Sequence, residues 1–206
     1  PSTVKLIDIS PLVSQTSPVF PGDVPLTIQT TVSGCARVSS FEMSAHLGAH
    51  VDAPSHLGSR GDIADIDLTR LVGDCQLISV PTQGAISRDM LPEVKSKRVL
   101  IKTGFVLGTV WRDDFAYLTP EATQYLIEAG VELIGIDTPS IDKSDDEALR
   151  SHILAIDASV LILENLCLTD VTPGFYQLIA LPLKISGLEA SPLRAVLVSE
   201  KENDCV

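Results

Sequence analysis

Long apolar runs are missing from this chain, and so is any excess of positive charge. No stretch approaches the eighteen or so apolar residues that a membrane-spanning helix needs. The first residues, Pro1-Ser2-Thr3-Val4-Lys5, lack the pattern of a signal peptide, so a membrane partner is not expected. Lys and Arg total 15 against 27 Asp and Glu, for a formal net charge of −12. A chain this acidic is a poor match to a phosphate backbone, so no nucleic-acid partner is expected either. The four cysteines, at 35, 75, 167 and 205, form no C-x-x-C pair and fit no zinc-finger spacing. A chain long enough to build its own core has little need of a disulfide framework, so reduced thiols and a cytoplasmic setting are expected. Neither Cys35 nor Cys167 has a histidine beside it in sequence, which weakens either as a nucleophile. There is no internal repeat, no low-complexity segment and no linker rich in Pro, Gly or Ser, so the 206 residues read as a single domain.

What is present is concentrated. Three of the four histidines fall in one stretch, His46-Leu47-Gly48-Ala49-His50-Val51-Asp52-Ala53-Pro54-Ser55-His56. Imidazole and carboxylate are ligand types that Zn(II), Mn(II) and related ions accept together. A helix would put His46 and His50 on one face but turn Asp52 away from them. An ideal strand would spread His46 and Asp52 about 20 Å apart at roughly 3.3 Å per residue, too far to share an ion. The chain must therefore bend, and Gly48 and Pro54 are suited to bending it. A cluster of this density argues for a metal or catalytic site over a purely structural role.

The rest of the chain alternates strand and helix signals. Val4–Ile9 reads as a first strand, followed by a loop carrying Phe20 between Pro18 and Pro21. Phe20 has two readings at this point, a loop aromatic tucked onto the core or the wall of a substrate pocket. Residues 24–33 and 37–45 read as two strands around Ser33-Gly34, the second leading into the histidine stretch. Arg60 reads as a solvated loop residue. Ser87–Val94 fits a short helix, and Arg98–Gly104 is a strong strand ending in a glycine. Thr119-Pro120 starts a helix running to about Ala129, with Gly130 as its cap and Val131–Ile136 as the next strand. This strand–helix–strand order predicts an α/β fold with a mixed β-sheet core and flanking helices. Asp137 and Asp142 stand just past that strand, where they either position ligands or act as turn and cap residues. Asp145–Ile156 is helical in pattern and carries His152. Glu164 ends an apolar run, a place where a carboxylate is costly unless paired or bound to a metal. Gly174–Ile185 and Ala195–Val198 read as the last strands.

The spacing His46-x3-His50-x-Asp52-x3-His56 resembles the signature of the metal-dependent cyclase-type hydrolases, whose best-known members are the bacterial kynurenine formamidases, with isatin hydrolase a relative. Asp8-Ile9-Ser10, Val19-Phe20-Pro21-Gly22-Asp23, Gly135–Asp142, Glu164-Asn165-Leu166, Leu181–Lys184 and Ser191–Ala195 resemble the family's other blocks, in the same order. The resemblance implies a swivelling β/β/α-type fold and two divalent ions per chain, zinc or, in related members, manganese. It implies that His46, His50 and Asp52 hold the first ion. Asp52 and Glu164 would bridge to a second, which His152 also binds. His56 would act as general acid and base toward a metal-activated water, and Phe20 would line the substrate pocket. The implied reaction is hydrolysis of N-formyl-L-kynurenine, an aryl formamide, in a homodimer or higher oligomer. Phe20 stands where the formamidases typically have Trp, Ala49 replaces their Thr, and residues 103–118 differ. These departures leave open the cleavage of a cyclic amide, imide or lactone by the same site. A metal-binding protein without turnover is the remaining alternative, opposed by the spare His56.

Overall fold

The computed structural model describes residues 4–58 and 60–200. Among these residues thirteen strands and two α-helices are formed. The strands are β1 (Val4–Asp8), β2 (Thr27–Ser33), β3 (Ala36–Glu42), β4 (His50–Asp52), β5 (Val72–Ser79), β6 (Ala85–Ile86) and β7 (Arg98–Lys102), then β8 (Tyr117–Leu118), β9 (Leu133–Ile136), β10 (Leu161–Glu164), β11 (Gly174–Ile179), β12 (Ala190–Pro192) and β13 (Val196–Glu200). The helices are α1 (Pro120–Glu128) and α2 (Arg150–Asp157). Nine strands make one mixed sheet in the order β1-β13-β11-β5-β7-β9-β10-β4-β12. Its centre, β5 to β10, is parallel, and its flanks are antiparallel. No helix among the described residues is long and apolar enough to cross a membrane.

The parallel centre follows from sequence. Val99-Leu100-Ile101, Leu133–Ile136 and Leu161-Ile162-Leu163 are apolar at every position, the composition of strands covered on both faces. Their side chains divide by alternation. Val99, Ile101, Ile134, Ile136 and Ile162 pack with Ala122 and Leu126 of α1 and Ala155 of α2. Leu100, Leu133, Leu161 and Leu163 pack on the opposite face with Ile9, Leu178 and Leu197, because the sheet curls over itself. Gly135 makes room in this layer: a Cβ there would collide with Leu100 Cδ2 and lie 2.9 Å from Leu166 Cδ1.

Helix α1 starts as expected, with Thr119 Oγ1 accepting from Ala122 N at 3.2 Å. Helix α2 is shorter than the sequence pattern suggests, because Asp146 Oδ1 accepts from Ala148 N and holds the preceding residues in a turn. Ser87–Val94 is not a helix. It forms one 3₁₀ turn over Arg88–Met90, and Leu91, restricted by Pro92, is extended. The strand expected over Gly174–Ile185 ends at Ile179. Strands β2 and β3 form a ribbon exposed on both faces, with Val32, Val38 and Phe41 more than 60% exposed.

Candidate metal centre

The histidine stretch is bent, as its length requires. Residues 45–49 form turns, and only His50–Asp52 is strand. Gly48 has φ 75°, and a Cβ there would strike Val13 Cγ2, so both conformation and space select glycine. Strand β4 lies antiparallel between β10 and β12, with His50 opposite Glu164. Directly paired residues project from the same face of a sheet, as do residues two apart. That places His50, Asp52 and Glu164 together. His56 follows on a 3₁₀ turn over Pro54–Leu57, and His152 comes from α2.

The six side chains converge. Asp52 Oδ1 lies 3.3 Å from His46 Nδ1 and 3.6 Å from His50 Nε2. Asp52 Oδ2 lies 3.5 Å from His152 Nε2. Glu164 reaches His50 Nε2 with Oε2 at 3.3 Å and His152 Nε2 with Oε1 at 3.2 Å. His56 stacks obliquely on His46, ring centroids 4.6 Å apart, and lies 5.7 Å from His152. His46, Asp52 and His56 offer ligand atoms within 4.8 Å of one another, and so do His50, Asp52 and Glu164.

The surrounding hydrogen bonds orient these groups. His50 Nδ1 donates to Gly48 O at 2.9 Å, so its Nε2 lone pair faces the cluster. His152 Nδ1 donates to Asp142 Oδ2 at 2.7 Å, turning Nε2 toward Asp52 and Glu164. The same carboxylate accepts from the backbone N of Ser151 and His152, each at 2.9 Å, and so caps α2. Asp142 therefore caps α2, as one of its two readings had it, and also orients the His152 ring. Asp137 is different. It accepts from Thr103 N, Thr103 Oγ1 and Gly104 N and anchors the start of the 103–118 segment. Burial pushes its pKa up against those donors.

The charge balance is that of a cation site. Asp52 and Glu164 are each only 3% exposed, and buried carboxylates need positive charge close by. Asp52 Oδ1 and Oδ2 and His50 Nε2 have no hydrogen-bond partner, although buried. Burial alone would raise the Asp52 pKa, but the His152 and His46 imidazoles close beside it bring it well below the usual carboxylate range. Burial opposes protonation of His46, yet Asp52 beside it raises its pKa to about 9. His152 is likewise raised well above its ordinary value, Glu164 and Asp142 outweighing burial. Protons on imidazoles thus supply the charge that a divalent ion would. The mixed nitrogen and oxygen donor set fits such an ion. His56 differs, since burial lowers its pKa and keeps it neutral.

A model of the Cyclase family matches residues 7–143. The chain belongs to the Cyclase family. A kynurenine formamidase of Bordetella avium is 41% identical over 207 residues, covering 94% of this chain and 97% of that relative. A solved structure described as a predicted metal-dependent hydrolase from Bacillus stearothermophilus is 28% identical, with TM-score 0.85, covering 96% of this chain and 99% of that one. Isatin hydrolase A from Ralstonia solanacearum, at 22% identity and TM-score 0.83 over 96% of this chain and 92% of that one, shares the fold.

Beside the cluster this Cyclase-family chain has a cavity of about 450 Å³, lined among others by Phe20, Trp111, His46, His56 and Asn165. Phe20 is half exposed and belongs to the cavity wall, not to the core. It meets Trp111 edge to face, centroids 5.4 Å apart at 80°. Trp111 Nε1 donates to Asp113 Oδ1 at 2.6 Å, which fixes the indole. Sequence reasoning missed Trp111, although it is the chain's single tryptophan. It also missed Glu189, whose Oε1 lies 3.4 Å from His46 Nε2 and which no motif announces. Cys35 and Cys167 are free and exposed, and burial pushes the Cys75 thiol up to about 12, so none of the three serves the site.

Proposed function

We propose that the chain is a metal-dependent hydrolase of a non-peptide C–N bond that cleaves N-formyl-L-kynurenine to L-kynurenine and formate, a step of tryptophan catabolism. The observation that carries this reading is the convergence of four imidazoles and two carboxylates beside an aromatic-walled cavity that His46, His56, His152 and Glu164 line, in a chain 41% identical to a kynurenine formamidase. His46, His50 and Asp52 would hold one divalent ion, and Asp52, His152 and Glu164 a second. The two-sided arrangement of Asp52 supports that division, Oδ1 toward His46 and His50, Oδ2 toward His152. Zinc suits these donors best, and manganese is the alternative. When bound, such ions polarise a carbonyl and acidify water.

The chain's own residues do the remaining work. Phe20 and Trp111 form a corner that receives the aryl ring and directs the formamide toward the histidines. His56 is half-buried, neutral and over the cluster without being needed as a ligand. It takes a proton as water adds to the formyl carbon and returns it to the aniline nitrogen as the C–N bond breaks. Formate and the free aromatic amine result. The exposed apolar residues of the β2–β3 ribbon support work as a homodimer, and the free thiols of Cys35, Cys75 and Cys167 suit the cytoplasm.

Opening of a cyclic amide is the second reading, favoured by the perpendicular Phe20–Trp111 corner, whose ring faces also suit a fused bicyclic ring. The test is hydrolysis of N-formylkynurenine by purified protein, with metal content measured on the same sample. Turnover with about two ions per chain, abolished by a chelator, is the expected result. A metal-loaded protein that leaves this substrate alone but opens isatin moves the substrate to cyclic amides. A protein that neither binds divalent metal nor turns over refutes the reading.

A further inference from the structure

Asn165 follows Glu164 directly, lines the same cavity and is 8% exposed. Its Oδ1 is buried without a hydrogen-bond partner, whereas its Nδ2 is not enclosed and makes no hydrogen bond among the described residues, so the N–H end is the one open to the cavity. Among the described residues the other buried polar atoms left unpaired belong to His50, Asp52 and Ser55, so two of those three residues are candidate ligands. The backbone at Asn165 is left-handed, φ 56°. Leu149, another of the three left-handed non-glycine residues described, lines this cavity too. Such backbone concentrates at functional sites.

The backbone alone does not account for the side chain. Asn165 N donates to Thr138 O at 2.9 Å and Leu166 N to Ile136 O at 3.1 Å, which ties the turn after β10 to the turn after β9. Glycine would adopt this turn more easily and would leave no polar group buried. What asparagine adds is a carboxamide beside Glu164, in the lining of the cavity that His56, Phe20 and Trp111 share. A carboxamide carries two N–H donors and no charge. The cluster around it otherwise offers carboxylates, which only accept, the His50 and His152 imidazoles engaged with Glu164, and His56, which is assigned to proton transfer. A neutral donor in such a place suits an oxygen that gains negative charge during reaction.

We propose that the Asn165 carboxamide donates a hydrogen bond to the carbonyl oxygen of the bound amide and strengthens it as charge develops there. This rests on the amide-hydrolase reading, and the experiment separates the two. Wild type, Asn165→Gly and Asn165→Asp are assayed with N-formylkynurenine and with isatin, alongside metal content and thermal midpoint. Asn165→Gly keeps the left-handed backbone and removes the amide. Asn165→Asp keeps the size and the turn preference but removes the N–H. The expected result is a fall in kcat of about 100-fold in both variants, with KM changed less than about threefold and metal content and midpoint at wild-type values. A kcat within threefold of wild type in either folded variant overturns the proposal and leaves Asn165 a turn residue. Metal content that falls with activity also overturns it, because Asn165 Oδ1 is then a ligand. If Asn165→Gly does not fold, Asn165→Asp alone decides by the same criteria. Wild type inactive on both substrates refutes the function itself, and the Asn165 assignment with it.

Discussion

Glu164 sits directly opposite His50 in the antiparallel pairing of β10 with β4, and Oε2 reaches His50 Nε2 at 3.3 Å. That one register brings a carboxylate from late in the chain onto the histidine stretch. A shift of one residue would turn Glu164 to the opposite face, among the apolar side chains of Leu161, Leu163, Leu178 and Leu197 and away from His152 of α2. Glu164 Oε1 also accepts from Ile141 N at 2.8 Å, which pins the carboxylate from a second side.

Metal removal should destabilise the protein. With metal held at about 100 times its dissociation constant, binding contributes about 2.7 kcal/mol. Chelation should therefore lower the thermal midpoint by roughly 5–10 °C, and added zinc should restore it. Scanning calorimetry with and without chelator reads this directly. An unchanged midpoint would count against a cation at Asp52 and Glu164.

His56→Ala should cost turnover about 100- to 10,000-fold, the range for loss of a positioned acid–base group. Metal content should stay at the wild-type value, since His46, His50, Asp52, His152 and Glu164 remain. Elemental analysis on the assayed sample checks the second half. Turnover that survives with little loss would remove His56 from the chemistry.

Asp142→Asn should weaken metal retention about 10- to 100-fold, because His152 loses the acceptor that orients its ring. It should also lower stability by about 1–3 kcal/mol through weaker capping of α2. Competition against a fluorescent chelator measures the first effect, and urea unfolding the second.

Trp111→Ala should raise KM for N-formylkynurenine by about tenfold while changing kcat less, the pattern of lost binding surface. The same change should leave hydrolysis of a formamide without an aryl ring almost unaltered. A kcat loss equal for both substrates would show that Trp111 holds the site together and does not receive the ring.

Gly135→Ala should lower stability by about 1–3 kcal/mol, since the added methyl meets Leu100 and Leu166 in a layer with no space. Urea unfolding of the metal-free protein isolates this from ligand binding.

The fold was legible where local chemistry decides it. Apolar runs marked β7, β9 and β10, and Thr119-Pro120 marked the start of α1. Spacing around Gly48 and Pro54 predicted the bend of the histidine stretch. Local pattern marked Glu164 only as an expensive carboxylate, and the family resemblance alone joined it to the histidine stretch, because its partner in β4 is set by strand order, which no local pattern encodes. Asp142 was ambiguous because a cap and a ligand-orienting carboxylate use the same residue type, and here one side chain does both. Trp111 and Asn165 escaped because cavity walls are assembled from loops. The failed helix over Ser87–Val94 was stopped by Pro92, a signal present in the sequence and underweighted.

The distance along the chain between His46 and Glu164 has a consequence for biosynthesis. At about 5–20 residues per second, roughly 5–25 s separate the appearance of the histidine stretch from that of β10. During that interval the growing chain offers His46, His50, Asp52 and His56 on an unpaired, pliable segment. A chelator of that kind takes whichever divalent ion is most available and binds it by intrinsic affinity. The ion is judged by geometry only when β10 joins β4 and α2 brings in His152. On the proposed two-ion reading, metal identity would be decided late, by exchange as the sheet closes, and protein produced in medium rich in copper should carry copper that slow refolding in zinc replaces.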